Sequence, residues 1–488
     1  MKFFTAFVCL LLLVQAGQVF SQQTAFKQTG FEQTGFIQTA LEQTASREAS
    51  PDLTEKRDAG GTIVHGLIAA GETLISHALF MAGNRIYGYS WASPNLRPIR
   101  YNLTVPWEWE DTDGFLVNNF GHPFQGALYF TAGRANGFGF YPSALFNTFG
   151  SFTWEAFAES NPASINDFYY TTISSMAAGE MIYRLYVEAC ASGIPWGLAL
   201  FINPMAGLHR LITGWTPPDA PKNLYELRIF AGGGYANLNS EISNGAEKIF
   251  AYKGGFGDIG FRAIYGNPFE QDTMVPYRHF EFTLSFGMNP LKYMDTRLIS
   301  DGYLFSFSPV YTEKDMMSTG LSLHLDYISQ GDFSMFDSGN DQSGNALDWT
   351  IKYRHVFTGN VSAQAKLHGG FTFLGVSQYY SPLAGKKLLK HYGYGLNAKT
   401  YFSLDLTKFG RFEFSGLFYS LWTYPGTSEV SKGFVYWLFA DLTYSCLITQ
   451  HFSAGVTGFL ALERGTYRGF PGTNKMNKTA KLFVAWEL

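Results

Sequence analysis

Residues 361–373 read Val-Ser-Ala-Gln-Ala-Lys-Leu-His-Gly-Gly-Phe-Thr-Phe, or VSAQAKLHGGFTF. Val361, Ala363, Ala365, Leu367, Phe371 and Phe373 take one set of alternate positions. Ser362, Gln364, Lys366, His368 and Thr372 take the other. Successive side chains of a β-strand point to opposite faces, so the stretch predicts a strand with one apolar and one polar side. The same alternation recurs in HFEFTLSF (279–286), TGLSLHLDY (319–327), LDWTIKYR (347–354) and FVYWLFADLTY (434–444).

A soluble sandwich alternates too, but three features favour a barrel in a membrane. The apolar face is strongly aromatic, as in the girdles of outer-membrane barrels. Short turns such as Thr358-Gly-Asn360 and Thr449-Gln-His451 alternate with longer polar stretches at 329–345, 379–390 and 424–432. The chain also ends on a strand, KLFVAWEL, with Leu482, Val484, Trp486 and Leu488 on one face. That ending is similar to the signal read by the outer-membrane insertion machinery, although the usual last residue is aromatic. From residue 223 onward the pattern gives about twelve strands, the even number expected of such barrels.

Composition agrees. Charged residues are 15%, well under the usual quarter, and aromatics are 17%. No mature segment offers 18 consecutive apolar residues, which disfavours an inner-membrane helical protein. A net charge of −4 gives no basic field for nucleic acid. Only Cys190 and Cys446 remain once Cys9 leaves with the signal, so no disulfide framework or cysteine metal site is indicated.

The chain opens MKFFTAFVCLLLLVQAGQVFSQQ, a secretory signal peptide (1–21) with cleavage expected near Ser21. Residues 23–47 are five pentads (QTAFK, QTGFE, QTGFI, QTALE, QTASR). With the linker they form a polar leader over 22–61, read as a tether or a partner-binding repeat. A mainly α-helical domain spans 62–216. Helices are expected at 62–88, 122–136, 142–160 and 164–192, with a short amphipathic piece at 202–214 and an aromatic, proline-containing segment at 89–120.

The helical half holds the unusual polar residues. His122 opens a helix apolar nearly all round, and Arg134 lies three turns on. Gly126 and Gly133 are seven apart and predict close backbone approach. Ser151, Glu155 and Glu159 are spaced to line one helix face; Asp167 sits in a first turn; Glu180 and Arg184 form an i, i+4 pair. Two carboxylates beside a histidine suit acid–base work or metal binding, so His122, Glu155, Glu159 and Asp167 are the candidate catalytic set. Arg134, Glu180, Arg184, Gly126 and Gly133 are candidate structural or binding residues. The structural alternative reads Asp167 as a helix-dipole charge, Glu180–Arg184 as an intrahelical pair and Glu155–Arg134 as an interhelical pair. No HExxH or Glu-x-x-His spacing names a metal, and no cofactor is indicated.

The order GETLISHALFMAGNRIYGYSW, NNFGHPFQGALYFTAGRANG, GSFTWEAFAESNPASINDFYYTTISSMAAGEMIYRL and INPMAGLHRLITG resembles an uncharacterised family of diderm-bacterial outer-membrane proteins, domain of unknown function 3943. The likeness covers about residues 70–215. It rests on His122-Pro123, Gly126, Tyr129, Arg134, Trp154-Glu155, Glu159, Ser164, Asp167, Gly179-Glu180 and Arg184. The sequence departs from the family at Gly133, Ser174, Ser175, Ala206 and His209. The resemblance implies location and architecture but no reaction. A fainter likeness to VanZ-like helical membrane proteins, in the order of a histidine, an acidic or amide residue and an Asp, points to a site near lipid headgroups.

The expectation is therefore an outer-membrane β-barrel (223–488) of about twelve antiparallel strands in a diderm bacterium. Its helical domain is expected as a plug or on the periplasmic side. Transport or envelope organisation leads. An envelope-lipid-modifying enzyme and a surface-antigen or adhesin-like barrel are the alternatives. Expected partners are outer-membrane lipid and, during biogenesis, the insertion machinery; the oligomeric state stays open.

Overall fold

The computed structural model describes residues 53–54 and 58–488, apart from 93, 110–112, 219, 221, 243–247, 270–271, 291, 332–338, 382–386, 408 and 425–431. The signal peptide and nearly all of the pentapeptide leader lie outside the described residues.

The C-terminal half is a closed barrel of twelve antiparallel strands, each paired with its neighbours in the chain. They are β1 (Leu224–Ile242), β2 (Lys248–Tyr265), β3 (Phe280–Asn289), β4 (Tyr293–Tyr311), β5 (Asp315–Gly331) and β6 (Gly339–Thr358). There follow β7 (Val361–Ser381), β8 (Lys387–Leu406), β9 (Gly410–Thr423), β10 (Gly433–Leu447), β11 (Phe452–Tyr467) and β12 (Phe470–Glu487). Closure is made by β1 on β12, in unbroken register from Arg228 opposite Glu487 to Ile242 opposite Thr473. No strand edge is left, which is what lipid requires of a sheet.

The quoted strand β7 has the two faces its sequence predicts. Leu367 and Phe371 are exposed, as are Leu347 and Trp349 on β6 and Leu396 and Phe402 on β8. Lys366 and His368 are buried in the lumen. Two stretches differ from expectation. Most of 329–345 and 379–390 is strand rather than loop, because the ladders continue through polar residues (Ser329 Oγ donates to Asp341 at 2.7 Å). One turn, 266–279, is long and runs back along the barrel, pairing Thr273 with Ser306.

Side chains fill the lumen. Lys352 on β6 donates to Glu281 on β3 at 2.7 Å and to Asp301 on β4 at 2.9 Å; Lys366 reaches Glu281 at 2.5 Å. Arg228 and Arg262 share Glu413 across the barrel, at 2.9 and 3.0 Å. Further along, Lys399 meets Asp326 at 2.6 Å and Lys475 meets Glu463 at 2.8 Å. Between these layers Tyr419, Trp437, Phe439 and Phe459 pack with Ile328 and Leu421 as an apolar core inside the barrel.

The N-terminal half is helical: α1 (Ala59–Ile86), α2 (Leu96–Thr104), α3 (His122–Ala135), α4 (Phe140–Thr153), α5 (Ile165–Tyr169), α6 (Ser175–Ala191), α7 (Trp196–Ala199) and α8 (Pro204–Thr213). Helix α2 lies in the aromatic, proline-containing segment. Asn95 caps it, accepting the Arg97 N–H at 3.0 Å, and Pro98 sits in the first turn, where its missing N–H costs nothing. Three π-helical turns interrupt the bundle: Val117–Gly121 before α3, Trp154–Ala158 after α4 and Tyr170–Ser174 between α5 and α6.

The helices lie on the outer wall of the barrel, not in its lumen. On β2, β3 and β5 the lumen-facing residues are Arg262, Glu281 and His324; the alternate residues Ala263, Phe280, Phe282, Leu323 and Leu325 face outward and pack against Phe130, Phe140, Ala177 and Met181. Farther round, Phe115 and Tyr170 cover Tyr327, Leu374, Val376 and Tyr392. The module begins at the rim carrying both ends of the barrel, where Glu188 accepts the Asn223 N–H at 2.7 Å. It reaches the opposite rim, where Trp109 stacks on Tyr424 at 5.2 Å. The plug position expected from sequence is thus taken by the barrel's own side chains, and the apolar helices use the apolar outer wall.

Placing a charge on the bare wall tests this inside–outside assignment. Leu367→Arg should cost about 2–4 kcal/mol, the penalty for a cation at bilayer depth. Ser362→Arg, near the rim and facing the lumen, should leave the folded fraction unchanged. The heat-modified gel mobility of barrels refolded into lipid vesicles, titrated with urea, reads both.

Candidate functional site

Three polar clusters lie inside the helical module. The first gathers the candidate catalytic set. His122 Nε2 is 3.7 Å from Asp167 Oδ1, and both side chains are buried. Asp167 lies in the first turn of α5, where its N–H donates to the capping Ser164 Oγ at 3.2 Å, and its carboxylate accepts the Asn166 amide at 2.9 Å. Glu155 accepts the Ser164 N–H at 2.8 Å. Glu159 accepts the Trp154 indole N–H. A chain of contacts, Glu155 to Ser164 to Asp167 to His122, therefore links three of the four; Glu159 is held apart from it on Trp154.

The helix-face expectation for Ser151, Glu155 and Glu159 does not hold. The π turn at Trp154–Ala158 changes the spacing, and Glu159 is already extended (φ −118°, ψ 152°). Its carboxylate reaches back to Trp154 instead of continuing a stripe. Beside it the His77 ring meets Tyr129 and Trp154 edge-on, at 5.0 and 5.3 Å between centroids, and Gln125 donates to the Tyr129 hydroxyl at 2.5 Å.

The second cluster stands at the other end of α3. Arg134 pairs with Glu180 at 2.9 Å, not with Glu155, and Arg184 pairs with the same carboxylate at 2.7 Å. All three side chains are fully buried. Arg134 also donates to the Phe138 carbonyl at 2.6 Å, and Arg184 donates to the Pro276 carbonyl of the long turn at 3.1 Å. This carboxylate flanked by two guanidiniums ties α3 to α6 and α6 to the barrel. Sequence reasoning separated Arg134 from its real partner because the two are 46 positions apart.

The third cluster was missed. Glu72 on α1 holds His209 on α8 at 2.7 Å and accepts the Asn136 amide at 2.9 Å. The signal was present: Glu72, Thr73, Ser76 and His77 are a narrow polar stripe on an otherwise apolar helix, and all four are buried. His209 joins α8 to this stripe.

The two glycines have different neighbours. A methyl group on Gly126 would overlap the Thr171 carbonyl and Ser175 Oγ, so α3 passes backbone to backbone against the Tyr170–Ser174 turn. One on Gly133 would meet Phe146 at 2.7 Å and Ser143 Oγ at 2.9 Å on α4.

Chemically, Glu155 is engaged by a backbone N–H, Glu159 by an indole and Glu180 by two guanidiniums. Such arrangements hold helices in register. Among the described residues the group best placed to hold a metal ion is in the lumen: His279, Glu281 and Asp301. The Lys352 ammonium already lies 2.8, 2.7 and 2.9 Å from those three side chains. A cation site there is filled by the protein's own lysine.

A closed, even-numbered antiparallel barrel with an apolar aromatic wall and a polar lumen is the architecture of bacterial outer-membrane proteins. The protein is an outer-membrane β-barrel that carries a helical domain. Residues 106–203, which span all of α3 to α6, match the family model "Domain of unknown function (DUF3943)". No curated protein matches the chain. Solved structures similar to the barrel half include the COG4313 outer membrane channel from Pseudomonas putida F1, at 9% identity and TM-score 0.28 over 55% of this chain and 96% of that one. A FadL homologue of Pseudomonas aeruginosa aligns at 7% identity and TM-score 0.23, over 54% and 90%. The NanC porin aligns at 9% and 0.24, over 52% and 100%.

Glu180→Ala should leave two buried guanidiniums without their shared carboxylate and destabilise the module by about 3–5 kcal/mol. Gly126→Ala should cost about 1–3 kcal/mol through overlap with Thr171. Limited proteolysis under increasing urea, resolving cleavage in 59–213 from loss of the barrel band, measures both. Unchanged protection in Glu180→Ala would remove the proposed tie.

Proposed function

We propose that the protein serves envelope organisation in the outer membrane of a diderm bacterium, with the barrel anchoring the helical module at bilayer depth. The observation carrying this reading is the lumen. Ion pairs at Lys352, Arg262, Lys399 and Lys475, with the aromatic core around Trp437, occupy it in successive layers. The barrel's outer wall, in contrast, is invested in holding helices. In this reading the His122–Asp167 and Glu155–Glu159 contacts are latches, and Arg134, Glu180 and Arg184 join module to barrel. A signal peptide cleaved near Ser21 directs export, and the insertion machinery reads the C-terminal strand.

Transport is the second reading, favoured by one observation: the lumen is lined by charges, as in channels. A lipid-modifying enzyme built on His122, Glu155, Glu159 and Asp167 has less support, since the carboxylates already accept hydrogen bonds from the fold.

Planar-bilayer recording of the purified full-length protein separates the first two readings. The expected trace stays at the protein-free baseline. Trp437→Ala with Tyr419→Ala, which empties the aromatic core, should raise the current. Stable single-channel steps from the wild type would overturn the anchor reading and establish transport.

A further inference from the structure

We infer that the helical module is immersed in the bilayer and that α1 and α4 touch lipid acyl chains directly, so that the protein's lipid-facing surface is part β-barrel and part α-helix. The inference is independent of whether the lumen conducts.

The polarity of α1 is reversed relative to a soluble helix. Glu72, Thr73, Ser76 and His77 are buried, while Leu67 is 70% exposed and Leu79 63%. On α4, Ser143, Asn147 and Ser151 are inside, and Leu145 is 70% exposed with Phe149 and Phe152 beside it. In water this arrangement would pay twice, hiding polar groups and wetting apolar ones. In hydrocarbon it is the stable choice, because polar groups there must pair with one another inside the bundle. The clusters around Glu72, Glu155 and Glu180 do so.

Three further observations identify the occupant of that surface as lipid. The module is seated on the wall that lipid would otherwise cover, over Phe282, Leu323 and Leu374, so its outer face continues the bare apolar wall at Leu347 and Leu367. Helix α1 has 28 residues, about 42 Å at 1.5 Å per residue, and among the described residues it is the one helix long and apolar enough to span a bilayer. Five of the module's six tryptophans lie toward its two ends; the sixth, Trp154, is buried against α1. Trp91, Trp107 and Trp109 lie toward the rim near Tyr424, and Trp196 and Trp215 lie toward the rim near Asn223, the distribution of an interfacial belt.

The test uses full-length protein with Cys9→Ser, Cys190→Ser and Cys446→Ser, carrying a single fluorophore on Leu67→Cys or Leu145→Cys. Leu367→Cys on the bare wall and Ser362→Cys in the lumen are the references, and gel mobility confirms folding in each. The proteins are reconstituted in phosphatidylcholine vesicles with and without brominated acyl chains. Quenching at positions 67 and 145 within about twofold of position 367 is expected for side chains at bilayer depth. Quenching no greater than at 362, with access to aqueous iodide, would overturn the inference and place the module in water. Protection from both quenchers, with a crosslinked dimer, would overturn it in favour of a second copy of the chain.

Discussion

Backbone hydrogen bonding at bilayer depth is the constraint on which everything else in this molecule rests. A strand in hydrocarbon has no water to satisfy its N–H and C=O groups, so the sheet must close. The register of β1 on β12 does this without a break, and the pleat of the closed sheet then turns alternate residues inward and outward. That alternation decides the rest. It sends Lys352, Lys366 and Glu281 into the lumen, where they neutralise one another, and it sends Leu347, Trp349, Leu367 and Phe402 to the wall. The apolar wall then offers the helices a docking surface.

The helical module obeys the same constraint by a different route. Its backbone satisfies itself, so only side chains need partners. Each cluster supplies them across elements: α1 to α8 through Glu72 and His209, α3 to α6 through Arg134 and Glu180, and α3 to α5 through His122 and Asp167. The glycines permit this by letting α3 approach the Tyr170–Ser174 turn and α4 closely enough for side chains of ordinary length to meet. Breaking one buried pair strands a charge, so the clusters specify the arrangement more than they stabilise it.

Period-two alternation made the barrel legible, since β-strands advertise their two faces in every other residue. Val361–Phe373 was enough to orient one strand, and recurrence gave the number. The helices were legible wherever caps and period agreed, as at Ser164 and Asp167. Placement of the module was not. An apolar helix reads the same against a lumen, a wall or lipid, and only the alternate residues Leu323 and Leu325, buried opposite the lumen-facing His324, distinguish these cases. Among candidate residues, His122, Asp167 and Glu155 are joined through Ser164, whereas Glu159 turns back to Trp154. Arg134 was assigned the wrong carboxylate because local spacing carries no information about residues 46 positions apart. Glu72, Asn136 and His209 were overlooked because each is unremarkable alone and meaningful only as a stripe brought against another element.

The seating of α3 and α6 on β2, β3 and β5 also imposes an order on assembly. Every wall residue the helices bury, from Ala263 to Tyr392, follows the module in the chain, and the barrel cannot close until its last strand, ending at Glu487, arrives. The helices are therefore made before the wall that covers them. Until β2 to β8 follow, the apolar faces of α3 and α6 have no sheet of their own chain to rest on.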